Sequence, residues 1–206
     1  MKTIVFQGDS ITDAGRSRNN PAELGMGYPL LVSAEMGLEF PNEYKFINEG
    51  ISGNRVVDLY ARIRCDIINH NPDILTILIG VNDVWHELGE NRNGVDNEKY
   101  FKVYCDLIEE VQRMCPQCEI YILEPFVLEA GATEEDWDIF DKEVAKRALS
   151  AKKCAEKFGL TFIPLQEDFN KACEKAPASY WLSDGVHPTF AGHELIAKKL
   201  IENICK

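Results

Sequence analysis

The most constraining feature of this sequence is a nearly uninterrupted apolar segment at residues 73–79, which reads DILTILI. A strand with one face in water alternates apolar and polar residues, whereas a strand covered on both faces is apolar at successive positions. Doubly covered strands are typical of parallel sheets with helices on both sides. This segment is therefore predicted to lie in the middle of the parallel sheet of an α/β protein.

Four further segments have the length and composition of strands, and helical patterns fill the gaps between them. The strand segments are residues 3–7, 44–48, 119–124 and 160–164. The helical segments are residues 25–37, 55–69, 98–114, 134–158 and 190–204, the last with Thr189 as its N-cap. This alternation predicts a three-layer α/β/α sandwich with a five-stranded parallel sheet. We find no linker and no internal repeat, so the 206 residues are expected to form a single domain, 1–206.

The charge of the chain restricts its partners. Its formal net charge is −12, so its surface is expected to repel nucleic acid and anionic lipid. No apolar run approaches the roughly 18 residues that a membrane-spanning helix needs. Because Met1 and Lys2 lead directly into the predicted first strand, we expect no signal peptide. We therefore expect a cytoplasmic protein that binds neither nucleic acid nor membrane and acts on a small molecule.

The seven cysteines are scattered and odd in number, which fits reduced thiols better than a disulfide framework. Cys115 and Cys118 form the one C-x-x-C pair, for which a redox pair or half of a zinc site is the functional alternative. Because no second pair exists to complete a zinc ribbon, we interpret these residues as a turn between a helix and a strand.

A polar segment, residues 87–97, follows the third strand and contains two glycines and three asparagines. We interpret it as a loop rather than a domain boundary. Because loops at strand ends commonly carry function, this one is placed to rim or cover a site.

Four short motifs stand out, and three of them follow predicted strands. They are residues 8–10 (GDS), 48–54 (NEGISGN), 80–83 (GVND) and 184–187 (DGVH). In a parallel sheet the carboxyl ends of all strands lie at one edge, where ligands bind. We therefore expect the motifs to meet there.

The residue types in these motifs match the needs of ester cleavage, which are a nucleophile, a base, a group that orients the base, and donors to the oxyanion. Ser10 would be the nucleophile, and His187 would be the base that activates it. Asp184 is well spaced to hold the other imidazole nitrogen. The donors would be the backbone N–H groups of Ser10 and Gly53 and the side-chain amide of Asn82. This chemistry requires no metal ion and no cofactor.

Together the four motifs resemble the four blocks of the SGNH (GDSL) esterase and lipase superfamily. They occur in the family's order, and the resemblance spans residues 3 to about 200. It implies Ser10 as nucleophile, Asp184 and His187 as its triad partners, and Gly53 and Asn82 as oxyanion donors. It also implies a flavodoxin-like order of strands.

Longer stretches, at residues 9–16, 25–28, 50–54 and 82–85, are similar to intracellular acetylxylan esterases. Those enzymes remove acetyl groups from xylo-oligosaccharides and assemble as homo-oligomers. The resemblance therefore implies an acetylated oligosaccharide as substrate and a homo-oligomer as the assembly. One departure is Ser183, which stands where such an enzyme carries an aromatic residue before its triad aspartate.

Three residues beside the motifs are candidates for substrate binding. Tyr28 and Trp85 are candidates for walls of the pocket, with packing as the alternative for each. Asp9 is a third candidate, although its position at the turn favours a structural hydrogen bond.

Other polar residues near the motifs are interpreted as structural. Arg55 and Asp13 are expected in salt bridges rather than on the substrate, and Asp83 is expected to cap or brace its loop. His193 has no partner pattern and is expected at a surface or helix position.

The leading interpretation is a serine esterase that removes short acyl groups, acetyl above all, from a carbohydrate through an acyl-enzyme on Ser10. A short-chain carboxylesterase or thioesterase, or a lysophospholipase-like lipase, is the alternative within the same chemistry. A metallophosphoesterase and a catalytically silent sugar-binding domain are the other classes. Only one of the four histidines lies in a motif, which favours the serine mechanism over a metal cluster.

Overall fold

Five strands form one parallel sheet in the computed structural model of this chain, which describes residues 1–20 and 22–205. The strands are β1 (Lys2–Gly8), β2 (Tyr44–Asn48), β3 (Ile74–Leu78), β4 (Glu119–Leu123) and β5 (Thr161–Ile163). Their order, β2-β1-β3-β4-β5, is the flavodoxin-like order that the resemblance implied. Each predicted strand is present, with neither end displaced by more than one residue.

Helices connect the strands and cover both faces of the sheet. They are α1 (Ser10–Asp13), α2 (Tyr28–Glu39), α3 (Val56–Ala61), α4 (Ile63–Asp66), α5 (Val81–Leu88), α6 (Asn97–Met114), α7 (Trp137–Phe158), α8 (Gln166–Ala172), α9 (Ala178–Trp181) and α10 (Phe190–Ile204). Two 3₁₀ turns add Ile68–His70 and Gly131–Thr133. Thr189 caps α10 as predicted, and its side chain accepts from the N–H of Gly192.

The prediction of one continuous helix over residues 55–69 is wrong. The segment breaks at Arg62, where φ is −113°, into α3, α4 and a 3₁₀ turn. The Arg62 guanidinium donates to the side chain of Asn54 at 2.7 Å and to the carbonyl of Glu49 at 2.8 Å. These acceptors lie 8 and 13 positions before Arg62, outside the segment itself, so the apolar spacing of the segment could not reveal them.

β3 confirms the expectation of a strand buried on both faces. Ile74 and Leu78 pack on one side with residues of α2 and α10. Leu75 and Ile77 pack on the other side with residues of α3 and α6. Apolar layers therefore cover both faces of the sheet, and a substrate can approach the sheet only at the ends of its strands.

The Cys115-x-x-Cys118 segment forms the turn between α6 and β4, as interpreted from the sequence, and all seven cysteines are free thiols. Within the described residues, no three His, Cys, Asp or Glu side chains are grouped so that they could hold a metal ion. None of the helices in residues 1–20 and 22–205 is long and apolar enough to cross a membrane.

Candidate active site

Ser10 is the first residue of α1, and one residue, Asp9, separates it from the end of β1. β2 lies on one side of β1 and β3 on the other, so the chain leaves the sheet in opposite directions around this strand. The crevice at such a reversal is where open α/β sheets bind ligands. Asp9 caps α1, and its carboxylate accepts the backbone N–H of Ile11 at 3.0 Å. The cap fixes the turn that presents Ser10.

Ser10, His187 and Asp184 form a continuous hydrogen-bonded chain although 177 positions separate the serine from the histidine. The Ser10 hydroxyl lies 2.8 Å from Nε2 of His187. Nδ1 of His187 lies 2.7 Å from a carboxylate oxygen of Asp184. With Nδ1–H donating to Asp184, Nε2 keeps its lone pair for the serine proton.

The turn that carries Asp184 and His187 is held tightly. Gly185 has φ +89° and lies so close to the carbonyl of Leu128 that a side chain would not fit. One oxygen of Asp184 accepts the backbone N–H of Val186 at 3.0 Å and of His187 at 2.8 Å. Burial alone would raise the pKa of Asp184, but these bonds and the one to the imidazole hold it below its ordinary value. Asp184 is therefore ionised at neutral pH.

Each of the three predicted oxyanion donors keeps an N–H group that no described residue accepts. The backbone N–H groups of Ser10 and Gly53 are unpaired in this sense. The Asn82 amide donates one of its two N–H groups to the carbonyl of Asn54 at 3.0 Å, which leaves the other. Gly53 has φ +81° and open space where a side chain would stand. These groups are available to an oxygen atom of a substrate.

Residues 52–54, here named the oxyanion loop, are tied to the elements on both sides. The bond from Asn82 joins the loop to α5. The backbone N–H of Ser52 donates to the carboxylate of Asp13 at 2.9 Å, which joins the loop to α1. Asp13 also pairs with Arg18, as expected of a salt-bridge residue. Because α1 carries Ser10, the ends of β1, β2 and β3 are held together at one edge of the sheet.

A cleft of about 390 Å³ opens beside Ser10. Its lining residues are Ser10, Ala14, Met26, His187, Pro188, Thr189, Phe190 and His193. A larger cavity, of about 650 Å³, lies between α7, α8 and β5 and contains no triad residue. The smaller cleft is the candidate active site, because it is lined by Ser10 and His187, the predicted nucleophile and base.

Two of the three residues expected to touch substrate lie inside the protein. Tyr28 is fully buried with its hydroxyl 3.0 Å from Thr12, so the expectation that it forms a pocket wall is corrected. Asp9 is also buried, and burial raises its pKa to about 7. It stabilises the turn before α1 and does not border the cleft. Trp85 packs its ring 5.9 Å from that of His187, beside the triad but outside the cleft lining.

The predicted loop is present but shorter than expected, since α5 extends to Leu88 and α6 begins at Asn97. The N–H of Val95 donates to the carbonyl of Asp83 at 2.9 Å, and the Arg55 guanidinium donates to the carbonyl of Asn93. These bonds hold the segment against α5 and the start of α3. None of its residues lines the Ser10 cleft, and the expectation that the segment rims or covers the wider site stays a prediction.

Arg55 and Asp83 have the structural roles that the sequence indicated. Arg55 forms an ion pair with Asp58 at 2.9 Å. The buried carboxylate of Asp83 accepts the backbone N–H of Val56 at the start of α3, and burial raises its pKa well above the ordinary value. Both residues brace the segments around the oxyanion loop.

The cleft residues with large side chains that were not predicted as site residues include Met26, Phe190 and His193. His193 lies on α10, as a helix residue, but it is only 7% exposed. Met26 and Phe190 are 65% and 74% exposed. Two signals were available: Met26 lies in the stretch 25–28 that resembles acetylxylan esterases, and Phe190 begins the helix that follows the His187 motif.

Nearly the whole chain is similar to known proteins. Residues 6–195 match the GDSL-like lipase/acylhydrolase family. The chain is 30% identical over 209 residues to an acetylxylan esterase of Geobacillus stearothermophilus, across 98% of this chain and 93% of that one.

Solved structures agree with this match. A protein of Parabacteroides merdae described as a GDSL-like lipase superposes with a TM-score of 0.90 at 40% identity, over 98% of this chain and 94% of that one. Axe2, an acetylxylan esterase from G. stearothermophilus, superposes with a TM-score of 0.88 at 30% identity and the same coverage. The resemblance read from the four motifs is thereby confirmed, and the chain belongs to the GDSL-like lipase/acylhydrolase family of ester hydrolases.

Proposed function

We propose that this protein is a serine esterase that removes short acyl groups, acetyl above all, from an acetylated oligosaccharide through an acyl-enzyme on Ser10. The observation that carries the proposal is the hydrogen-bonded chain from Ser10 through His187 to Asp184, with distances of 2.8 and 2.7 Å. A serine so placed has the base that it needs to act as a nucleophile.

In the first half of the reaction, Ser10 Oγ bonds to the acyl carbon while its proton passes to Nε2 of His187. The carbonyl oxygen becomes an oxyanion, which accepts from the backbone N–H groups of Ser10 and Gly53 and from the Asn82 amide. Asp184 stabilises the imidazolium that forms. As the tetrahedral intermediate collapses, the alcohol oxygen leaves and takes the proton from Nε2.

In the second half, water enters in place of the alcohol. His187 removes a proton from the water, whose oxygen bonds to the acyl carbon. Collapse breaks the bond to Ser10 Oγ, which regains a proton from Nε2, and the carboxylic acid is released. No metal ion or cofactor takes part in either half.

The relatives support both the residues and the substrate. Solved catalytic mutants of Axe2 replace a serine, an aspartate and a histidine, and that aspartate and histidine are three positions apart, as Asp184 and His187 are here. Axe2 is also described as an acetyl-xylooligosaccharide esterase. A tryptophan precedes its catalytic aspartate, whereas Ser183 stands there in this chain. The preference for an acetylated oligosaccharide and the assembly into a homo-oligomer are therefore proposals for this chain.

The test is hydrolysis of 4-nitrophenyl esters from acetate to octanoate by the wild type, Ser10→Ala and a control, Ser179→Ala. Ser179 is exposed on α9, away from the cleft, so its hydroxyl should not matter. We expect acetate to be the best substrate and Ser10→Ala to lower kcat by at least about 10⁴-fold, because loss of the nucleophile disables the whole triad.

Two outcomes would contradict the proposal in different ways. If octanoate is the best substrate, the short-chain assignment falls and the lipase alternative replaces it. If Ser10→Ala keeps a rate near that of the wild type, the acyl-enzyme mechanism itself is wrong.

A further inference from the structure

The cleft beside Ser10 contains two large apolar side chains that the triad does not use. Met26 and Phe190 are 65% and 74% exposed, and both line the cleft. Isolated apolar side chains are common on protein surfaces, but a pair that flanks a nucleophile indicates a surface for a ligand.

An imidazole, that of His193, lines the same cleft and is held in a defined orientation. Its Nδ1 accepts the backbone N–H of Tyr28 at 3.2 Å. Tyr28 begins α2, whose N-cap, Gly27, has no side chain to accept that hydrogen bond, so the imidazole supplies the acceptor. A nitrogen that accepts is unprotonated, and in a neutral imidazole the proton is then on Nε2.

The ring is neutral under ordinary conditions. Burial, and to a lesser extent the neighbouring His187, lowers the pKa of His193 to about 4. Nε2–H is therefore a donor throughout the neutral range. Within residues 1–20 and 22–205 no atom accepts a hydrogen bond from it. A fixed donor without a protein acceptor, beside the nucleophile, is available to a substrate.

The position of the cleft indicates which part of the substrate it holds. Nε2 of His187 must reach the departing alcohol oxygen, and His187 lines this cleft. Of the three proposed oxyanion donors, Gly53 and Asn82 do not line it, and Ser10, which also carries the attacking oxygen, lines it together with His187. The cleft therefore lies on the side where the alcohol leaves.

We propose that Met26, Phe190 and His193 form the leaving-group subsite and that this subsite takes a sugar ring. The C–H face of the sugar packs on Phe190 and Met26, and a hydroxyl or ring oxygen accepts from Nε2–H of His193. This inference rests on the proposed function and adds the residues that bind the alcohol part of the substrate.

The chemistry of the subsite favours a sugar over other alcohols. A hydrocarbon alcohol would displace water from His193 and leave its donor unpaired, and sites built around a hydrogen bond strongly reject analogues that lack the partner. A phosphorylated or otherwise anionic alcohol is disfavoured by the net charge of −12. A neutral polyol ring satisfies both the apolar walls and the donor.

The test compares three acetates that share the acyl group and differ in the alcohol: a monoacetylated methyl xyloside, cyclohexyl acetate and ethyl acetate. Acetate release gives kcat/KM for each. For His193→Phe we expect the ratio of the xyloside to cyclohexyl acetate to fall about five- to tenfold, the factor expected for one hydrogen bond. His193→Gln, whose amide can both accept and donate, should restore part of that ratio.

Phe190→Ala tests the apolar wall independently, since a residue that exposed can be replaced without loss of the fold. The kcat/KM values for the xyloside and for cyclohexyl acetate should each fall about tenfold relative to that for ethyl acetate, whose alcohol is too small to reach the wall. Leu38→Ala, at a position on α2 that is 84% exposed, is the matched control and should change no ratio.

The inference is overturned if His193→Phe lowers all three acetates equally, or if Phe190→Ala changes the oligomeric state but no substrate ratio. It is also overturned if the wild type hydrolyses ethyl acetate and not the xyloside, although the esterase proposal then stands. Failure of the wild type on every acetate and aryl ester would instead refute the proposed function. If His193→Phe does not fold, judged by its melting temperature, the Phe190→Ala ratios decide the apolar wall, and a wild type whose kcat/KM for the xyloside does not exceed that for cyclohexyl acetate overturns the inference.

Discussion

Replacing Asp184 with asparagine should preserve the shape of the triad but place the imidazole proton on the wrong nitrogen. One oxygen of Asp184 accepts the backbone N–H groups of Val186 and His187, and the other accepts from Nδ1 of the His187 ring. The single amide oxygen of Asp184→Asn can face only one of these two positions.

The hydrogen bonds decide which position the amide oxygen takes. If it faced the ring, its NH₂ group would face two backbone donors, at a cost of about 1–3 kcal/mol for each N–H left unsatisfied. If it stays on the backbone, its NH₂ group donates to Nδ1, and every bond is kept once the ring proton moves to Nε2. The second arrangement is therefore favoured by about 2–6 kcal/mol.

With its proton on Nε2, His187 donates to Ser10 instead of accepting from it, so the serine has no base. The corresponding change in a serine protease lowers kcat by about 10⁴-fold, which is about 5.5 kcal/mol of activation free energy. We expect a loss of the same size in Asp184→Asn, with KM little changed because the cleft is untouched.

The assay is kcat for 4-nitrophenyl acetate at neutral pH, with thermal unfolding as a check on the fold. Asp184→Ala is the companion variant, because it removes the orienting group without forcing the wrong tautomer. A kcat for Asp184→Asn within tenfold of the wild type would refute the reasoning, since the tautomer would then be set by something other than Asp184.

Two further predictions concern residues around the triad. Because burial raises the pKa of Asp9 from 3.8 to about 7, the folded state retains a proton that the unfolded state loses, and the wild type should lose stability as pH rises between those values. Asp9→Asn keeps an acceptor for Ile11 but cannot lose a proton, so its stability should not fall in this way. Measured by urea unfolding, the free energy of unfolding of the variant minus that of the wild type should rise by up to about 4 kcal/mol from pH 4 to pH 8. The same difference at both pH values would contradict this prediction. Asn82→Ala should lower kcat by about 10²–10³-fold with little effect on KM, because one oxyanion donor is removed. Asn82→Asp, of the same size but without an N–H donor, should be no better, and a kcat within threefold of the wild type in either variant would show that Asn82 does not donate.

The strands and the meeting of the four motifs could be predicted because both depend on short stretches of sequence. An apolar run such as residues 73–79 encodes burial on both faces locally, and β3 is buried as that pattern requires. Parallel strands then bring their carboxyl ends to one edge whatever the intervening helices do. This is why Ser10 and Asn82 could be assigned to one site from their places after strands.

The wrong predictions share a different cause, because the structure at those residues depends on contacts with other segments of the chain. The helix predicted over residues 55–69 breaks at Arg62, where the side chain reaches back to the ends of β1 and β2. Tyr28 lies two positions after the cleft residue Met26, but its side chain points into the core and packs against Phe6. Apolar periodicity and motif spacing carry no information about such directions.

By itself, the sequence determined the class of fold, the order of the functional blocks and the residue types that the chemistry needs. Apolar patterns select strands locally, and few residue types can serve as nucleophile, base or oxyanion donor. Only the tertiary structure decided which other side chains border the nucleophile. Packing of α2 against α10 buries Tyr28, turns His193 into the cleft and leaves Phe190 exposed beside Ser10. Burial and the direction of a side chain are properties of packed elements, and no single stretch of sequence specifies them.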